Sequence, residues 1–228
     1  MAVRFENVER VWINVADAEI NVEESEGRAV EVQVSPENRL TISKDGNLLN
    51  ITVPLGQKFK NLLKKDNGST RVSLKVPKSV KVEIAVKRGK VDAEDVRISK
   101  LLLGEGEAEL SRCTVETINV ATAVIRGSVR VNGDMNIVTA AGIIDLSITE
   151  LEGDVNLMAA TGSIKLTLPG DADARVVLND GKGLIPGNII LKGINPEDPV
   201  LGTGERKIIV NVAAGNVVIS TEGGEDDI

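Results

Sequence analysis

The side chains of this 228-residue chain best placed for acid–base chemistry are carboxylates, grouped as Asp92, Glu94 and Asp95 and again as Glu105, Glu107 and Glu109. Paired carboxyls cleave glycosidic bonds when their surroundings separate the two pKa values, so that one stays protonated while the other ionises. Glu107 and Glu109 alternate with Ala108 and Leu110, the pattern of a strand whose charged side chains face water. No aromatic platform for sugar stacking accompanies them. The acids therefore read as a solvated face. A carbohydrate-binding or carbohydrate-active surface built on the same carboxylates is the alternative, and Asp92 and Asp95 are its first candidates.

Other chemistries lack their residue types. The chain has no His, which removes Ser-His-Asp and Cys-His catalysis and every His-containing zinc site. Cys113 is the single cysteine, so neither an internal disulfide nor a thiolate cluster can form, and it reads as a buried spectator thiol. No phosphate-binding Gly-x-x-x-x-Gly-Lys-Ser/Thr loop occurs. Gly104-Glu105-Gly106-Glu107 puts acid where a phosphate would sit, and Gly181-Lys182-Gly183 fails the dinucleotide spacing. Gly-Gly-x-Gly-x-Asp calcium repeats are missing too. The expectation is a protein that is not an enzyme and uses no cofactor or metal.

Basic residues crowd into one third of the chain: Lys58, Lys60, Lys64, Lys65, Arg71, Lys75, Lys78, Lys81, Lys87, Arg88 and Lys90. Their first reading is a solvated face. The next is contact with a protein partner or another copy of the chain, for which Lys58, Lys60, Lys64, Lys65, Lys87 and Arg88 are the candidate residues. A net charge of −7 opposes a general nucleic-acid platform, and with only Phe5, Phe59 and Trp12 as aromatics there is little to stack on bases. Residues 57–65 form a basic amphipathic stretch that offers, as a further alternative, contact with an anionic membrane surface.

The elements that must position these groups are strands. Apolar and polar residues alternate strictly in Val11–Val15, Glu19–Val22, Val30–Val34, Leu49–Val53 and Val72–Val76, with Gly, Pro, Asn or Asp at the ends. No segment longer than about ten residues has a helical period. From residue 80 onward, an apolar residue followed four positions later by Gly or Val recurs. The copies are Ala85…Gly89, Leu102…Gly106, Val120…Val124, Val138…Gly142, Met158…Gly162 and Val177…Gly181, with a last one ending at Gly215. This spacing predicts a stack of extended turns of about 18–20 residues around an aliphatic core, each turn burying its neighbour's apolar face. It supports one continuous domain over residues 1–222, with irregular excursions near 54–70 and 182–206 and an acidic tail at 223–228. The absence of His and Tyr and the scarcity of Gln point to a thermophilic source, although Asn is plentiful.

Lys75-Val76-Pro77-Lys78-Ser79-Val80-Lys81-Val82-Glu83-Ile84-Ala85-Val86-Lys87-Arg88-Gly89-Lys90-Val91, the Ala-Thr-Gly-Ser-Ile-Lys-Leu unit at residues 160–166 and the late run from Gly202 to Val217 together resemble the adhesin-like β-strand-repeat family of unknown function. The resemblance covers most of the chain. It implies a right-handed, single-stranded β-helix or solenoid and brings no catalytic residues. Together with the exclusions above, it leads to the expectation of a non-enzymatic structural or interaction scaffold that binds protein partners or itself. The N-terminal residues have no apolar targeting region and no stretch reaches the ~20 apolar residues of a membrane span, so a cytoplasmic location is expected.

Overall fold

The computed structural model describes residues 2–36, 40–52, 70–178 and 188–222, and among these every regular element is a strand. The N-terminal part holds β1 (Val3–Phe5), β2 (Arg10–Ser25), β3 (Val30–Ser35), β4 (Thr41–Asp45), β5 (Leu48–Thr52) and β6 (Thr70–Pro77). The middle holds β7 (Lys81–Glu94), β8 (Arg97–Val115), β9 (Thr117–Val120), β10 (Val124–Val131), β11 (Met135–Thr139), β12 (Ile143–Leu151), β13 (Val155–Ala159) and β14 (Ser163–Leu168). The remaining strands are β15 (Ala174–Leu178), β16 (Asn188–Lys192), β17 (Val200–Leu201), β18 (Arg206–Val212) and β19 (Asn216–Thr221).

The period-2 alternation translates directly into burial. Val11, Ile13 and Val15 are buried while Trp12 and Asn14 face out, and Ile164, Leu166 and Leu168 are fully enclosed. The core is aliphatic, built almost wholly from Val, Ile, Leu and Ala, and Trp12 lies on the outer face at 38% exposure. An enclosed Val, Leu or Ile side chain contributes about 1.5–3 kcal/mol, so dozens of them offset chain entropy without aromatic anchors.

The all-β expectation stands, but the right-handed single-stranded β-helix, with its solenoid of 18–20-residue turns, does not. The strands form one 19-stranded mixed sheet containing both parallel and antiparallel pairs. β1 pairs antiparallel with β3, β3 with β6, β4 with β5 and β15 with β17. A single-stranded helix of turns also requires each turn to lie beside the next in the chain, and two insertions break that order. β2 lies directly against β7, with β5 and β6 on its other side. β18 sits between β13 and β15, and β19 between β14 and β16. The last copy of the sequence motif is thus beside Met158…Gly162, ahead of Val177. Repeat spacing reports the register offset of parallel neighbours, such as Ile144 against Ile164, but does not say which segment will occupy the next place in the sheet.

The recurring glycines form a column where two strand rows meet. Gly89 pairs with Gly106, and a Cβ on Gly106, at φ +119°, would lie 1.9 Å from the Gly89 carbonyl oxygen. A side chain there would displace the adjacent backbone. Val124 does not belong to this column: it pairs with Glu107 and Ile143, which puts buried Ala123 in the place taken elsewhere by Gly. Gly181, residues 54–69 of the excursion expected near 54–70 and the tail at 223–228 lie outside the described residues, while Thr70 opens β6. Within the expected excursion at 182–206, residues 188–192 are β16 and Val200–Leu201 are β17.

Candidate functional site

β7 and β8 run parallel in register and place the two acidic groups side by side: Asp92 opposite Glu109, Lys90 opposite Glu107 and Arg88 opposite Glu105. The alternation that buries Val91, Ala93, Ala108 and Leu110 turns all these charges outward. Lys90 sits between acids, its Nζ 3.4 Å from Asp92 Oδ1 and 3.6 Å from Glu107 Oε1, and the Asp92 charge raises the lysine pKa first of all. Farther along, Arg112 Nη2 lies 2.6 Å from both Glu94 Oε1 and Asp95 Oδ2. Arg130 Nη2 reaches Asp95 Oδ1 at 3.1 Å.

This is a charge ladder across strands, and its electrostatics run against acid catalysis. A general acid needs a carboxyl pKa pushed up by burial or by a like charge. Asp95 moves the other way, because the Arg112 hydrogen bond holds its carboxyl below the usual range. A shallow depression of about 160 Å³ does lie over this region, lined by Lys90, Asp92, Glu107, Ala108, Glu109, Val124 and Arg126. It carries both signs of charge, three acids and two bases, with Asp92 directly opposite Glu109. Among the described residues no three acidic or sulfur side chains converge as a metal would require. Cys113 is fully buried, its Sγ 3.3 Å from the Ala93 carbonyl oxygen, and burial pushes the thiol pKa up.

Of the six basic candidates, Lys58, Lys60, Lys64 and Lys65 lie outside the described residues. Lys87 and Arg88 are exposed where β7 turns, and Arg88 Nε is 2.8 Å from Asp17 Oδ1. Arg71 is likewise paired with Glu19 at 2.8 Å, and Lys81 with Glu116 at 2.8 Å. Arg71, Lys81 and Arg88 are thus each joined to an acid on a neighbouring strand or strand end.

A different surface emerges from register. Residues 117–125, 136–144, 156–164 and 209–217 contain no charged side chain, although 27% of the chain is charged. The sheet sets these four segments side by side: Asn119 beside Val138, Val138 beside Met158, Met158 beside Asn211, and Ile143 between Val124 and Ser163. Between them the chain bends through Ala121-Thr122, Ala140-Ala141, Ala160-Thr161 and Ala213-Ala214, joined by backbone bonds such as Ala141 N–H to Ala121 O at 2.8 Å. Three large apolar side chains stand out from this charge-free field, Val138 at 37%, Ile143 at 49% and Met158 at 45% exposure. Charged residues border most of it: Glu116, Asp134, Asp154 and Lys207 on one side, Arg126, Asp145 and Lys165 on the other. The sequence motif centred on the glycines missed this field. The signal that reveals it is the absence of charge over four aligned nine-residue windows.

No family model matches the chain. No curated protein sequence matches it either. Among solved structures it is similar to a "putative cell adhesion protein" from Clostridium sporogenes, at 16% identity and TM-score 0.43, over 97% of this chain and 98% of that one. A "putative adhesin" from Bacteroides fragilis shares 12% identity at TM-score 0.43, over 97% and 96% of the two chains. A "putative lipid binding protein" from Parabacteroides distasonis shares 11% at TM-score 0.42, again over 97% and 96%. At such identities and TM-scores the likeness carries no argument about what this chain does. Among the described residues no helix is long and apolar enough to cross a membrane, which leaves strands unaddressed.

Proposed function

We propose that the chain is a non-enzymatic interaction protein whose charge-free field docks a protein partner. The observation that supports this reading is the division of the outer surface. Over β7 and β8 the candidate acids lie among cations, with Lys90 and Arg112 bonded to them, whereas over β9 to β14 and β18 to β19 an uncharged area with three outstanding apolar side chains has charges along most of its border. An uncharged centre with Met and aliphatic side chains inside a charged rim is how interfaces differ from ordinary protein surface.

The test is site-specific photocrosslinking in the cells that make the protein, with the photoreactive side chain at Met158 and, as a control, at Glu105 on the ladder. The reading expects one or a few defined protein adducts from position 158 that vanish on Ile143→Lys, and none of them from position 105. Identical adducts from both positions, or none from position 158, would overturn it.

A further inference from the structure

Among the described residues β16 is an edge strand. Its five residues run parallel to β19 from Asn188 opposite Asn216 to Lys192 opposite Ser220, and the Asn188 N–H donates to the Gly215 carbonyl oxygen at 3.0 Å. Among the described residues no strand pairs with its other side. The neighbouring row ends differently, because β17 folds back antiparallel on β15 through Ala174 opposite Leu201 and Arg175 opposite Val200. Among the described residues, the row of β15 is partly covered at its end and that of β16 is open.

Two parities decide what fits this edge. Backbone groups alternate sides along a strand. Asn188 faces β19, so Ile190 and Lys192 do as well, and Ile189 and Leu191 direct their N–H and C=O groups to the open side. Side chains alternate between faces in the same way. Ile189 and Leu191 pack against the core, in line with Val217 and Ile219, while Ile190 stands outward at 40% exposure.

We propose that β16 pairs antiparallel with β16 of a second copy, about a two-fold axis passing at Ile190. In that register Ile189 faces Leu191 of the second copy and Leu191 faces its Ile189. These are the residues with open backbone groups, so both pairs are hydrogen-bonded and exchange four N–H···O bonds. The same pairs are the inward apolar ones, which makes the two cores continuous across the axis. Ile190 meets Ile190 as the close, non-hydrogen-bonded pair. Lys192 falls opposite Asn188, so no like charges meet. A shift by one residue would set outward Ile190 against inward Leu191 and break both parities. The contact extends the interaction reading with a different surface, so either can fail without the other.

The experiment is sedimentation velocity on the full chain over a wide concentration series, for the wild type, Ile190→Lys, Ile190→Glu and an equimolar mixture of the two variants. The substituted side chain is outward, so each variant retains the fold. It also places two like charges about 5 Å apart across the axis. A wild-type monomer–dimer equilibrium, at least tenfold weaker dimerisation of each variant alone and recovery in the mixture are expected. A wild type that stays monomeric throughout, variants that dimerise like the wild type, or a mixture that fails to recover would each overturn the proposal. Dimerisation abolished by Met158→Lys but kept in Ile190→Lys would also overturn it, and would leave the charge-free field as the interaction surface.

Discussion

Arg112 and Asp95 both occupy left-handed backbone, at φ 52° and 55°, and are joined by two hydrogen bonds, Nε to Oδ1 at 3.0 Å and Nη2 to Oδ2 at 2.6 Å. They occupy bends in neighbouring strand passages, where β7 leads into β8 and where β8 itself turns. Arg130 continues the brace, with Nε donating to the Arg112 carbonyl oxygen at 3.1 Å and Nη2 to Asp95 Oδ1 at 3.1 Å. Backbone that L side chains seldom adopt is held at both bends by a planar fork matched to a carboxylate.

Removing that fork should raise the Asp95 pKa. Its carboxyl is held below the usual range chiefly by the Arg112 hydrogen bond, and the Arg130 charge adds to the effect. A depressed folded-state pKa contributes stability that is present above the unfolded value, about 3.9, and is lost as pH falls through the folded value. Arg112→Ala is therefore expected to shift the Asp95 titration upward by NMR and to flatten the acid limb of the stability curve below about pH 4. An unchanged titration would show that the fork does not set the carboxyl. Arg112→Gly should cost less stability than Arg112→Ala, because glycine accepts the left-handed backbone.

Ile164→Asp should unfold or aggregate the protein. Ile164 is fully buried between Ile144 and Val217, so the change removes about 1.5–3 kcal/mol of apolar burial and leaves an unpaired carboxylate in the core. Ile164→Val, which only trims a methyl group, should cost about 0.5–1.5 kcal/mol. Denaturant midpoints for the pair check this, and a soluble Asp variant with an unchanged midpoint would mean that the faces are reversed.

Gly106→Ala and Gly133→Ala should differ sharply. A Cβ at Gly106 meets the Gly89 carbonyl oxygen at 1.9 Å, whereas one at Gly133 finds nothing within 4 Å. Thermal unfolding is expected to show a drop of many degrees for the first and little change for the second. Equal midpoints would show that the strand pair relaxes freely.

Cys113 should resist thiol reagents in the native protein and react at once in denaturant. It is fully buried and its thiol pKa is pushed up, which disfavours the reactive thiolate. Rapid labelling under native conditions would show that β8 opens locally.

Much of the local structure was legible in the sequence. The alternation around Val11–Val15 and Ile164–Leu168 told which side chains turn inward, because a strand's period is fixed at two. The outward, solvated reading of Glu107 and Glu109 followed from the same rule. The ion pairs did not, since Arg112 reaches Asp95 only through register between strands 17 residues apart in the chain. The charge-free field was written in four windows, but it becomes a surface only when pairing sets Val138 beside Met158 and Met158 beside Asn211.

What the sequence by itself determined is the strand content, the inward and outward faces, the aliphatic core and the chemistries its residue types exclude. Those follow from local rules: side-chain period, turn residues and the presence or absence of reactive groups. Tertiary structure alone decided that β2 lies against β7, that β18 and β19 enter ahead of β15 and β16, and that antiparallel pairs make the sheet mixed. The physical reason is that many apolar, β-branched strands with the same alternation offer nearly equivalent neighbours to one another. Which of them pair is settled by the packing of the whole sheet, and that choice is encoded in no single segment.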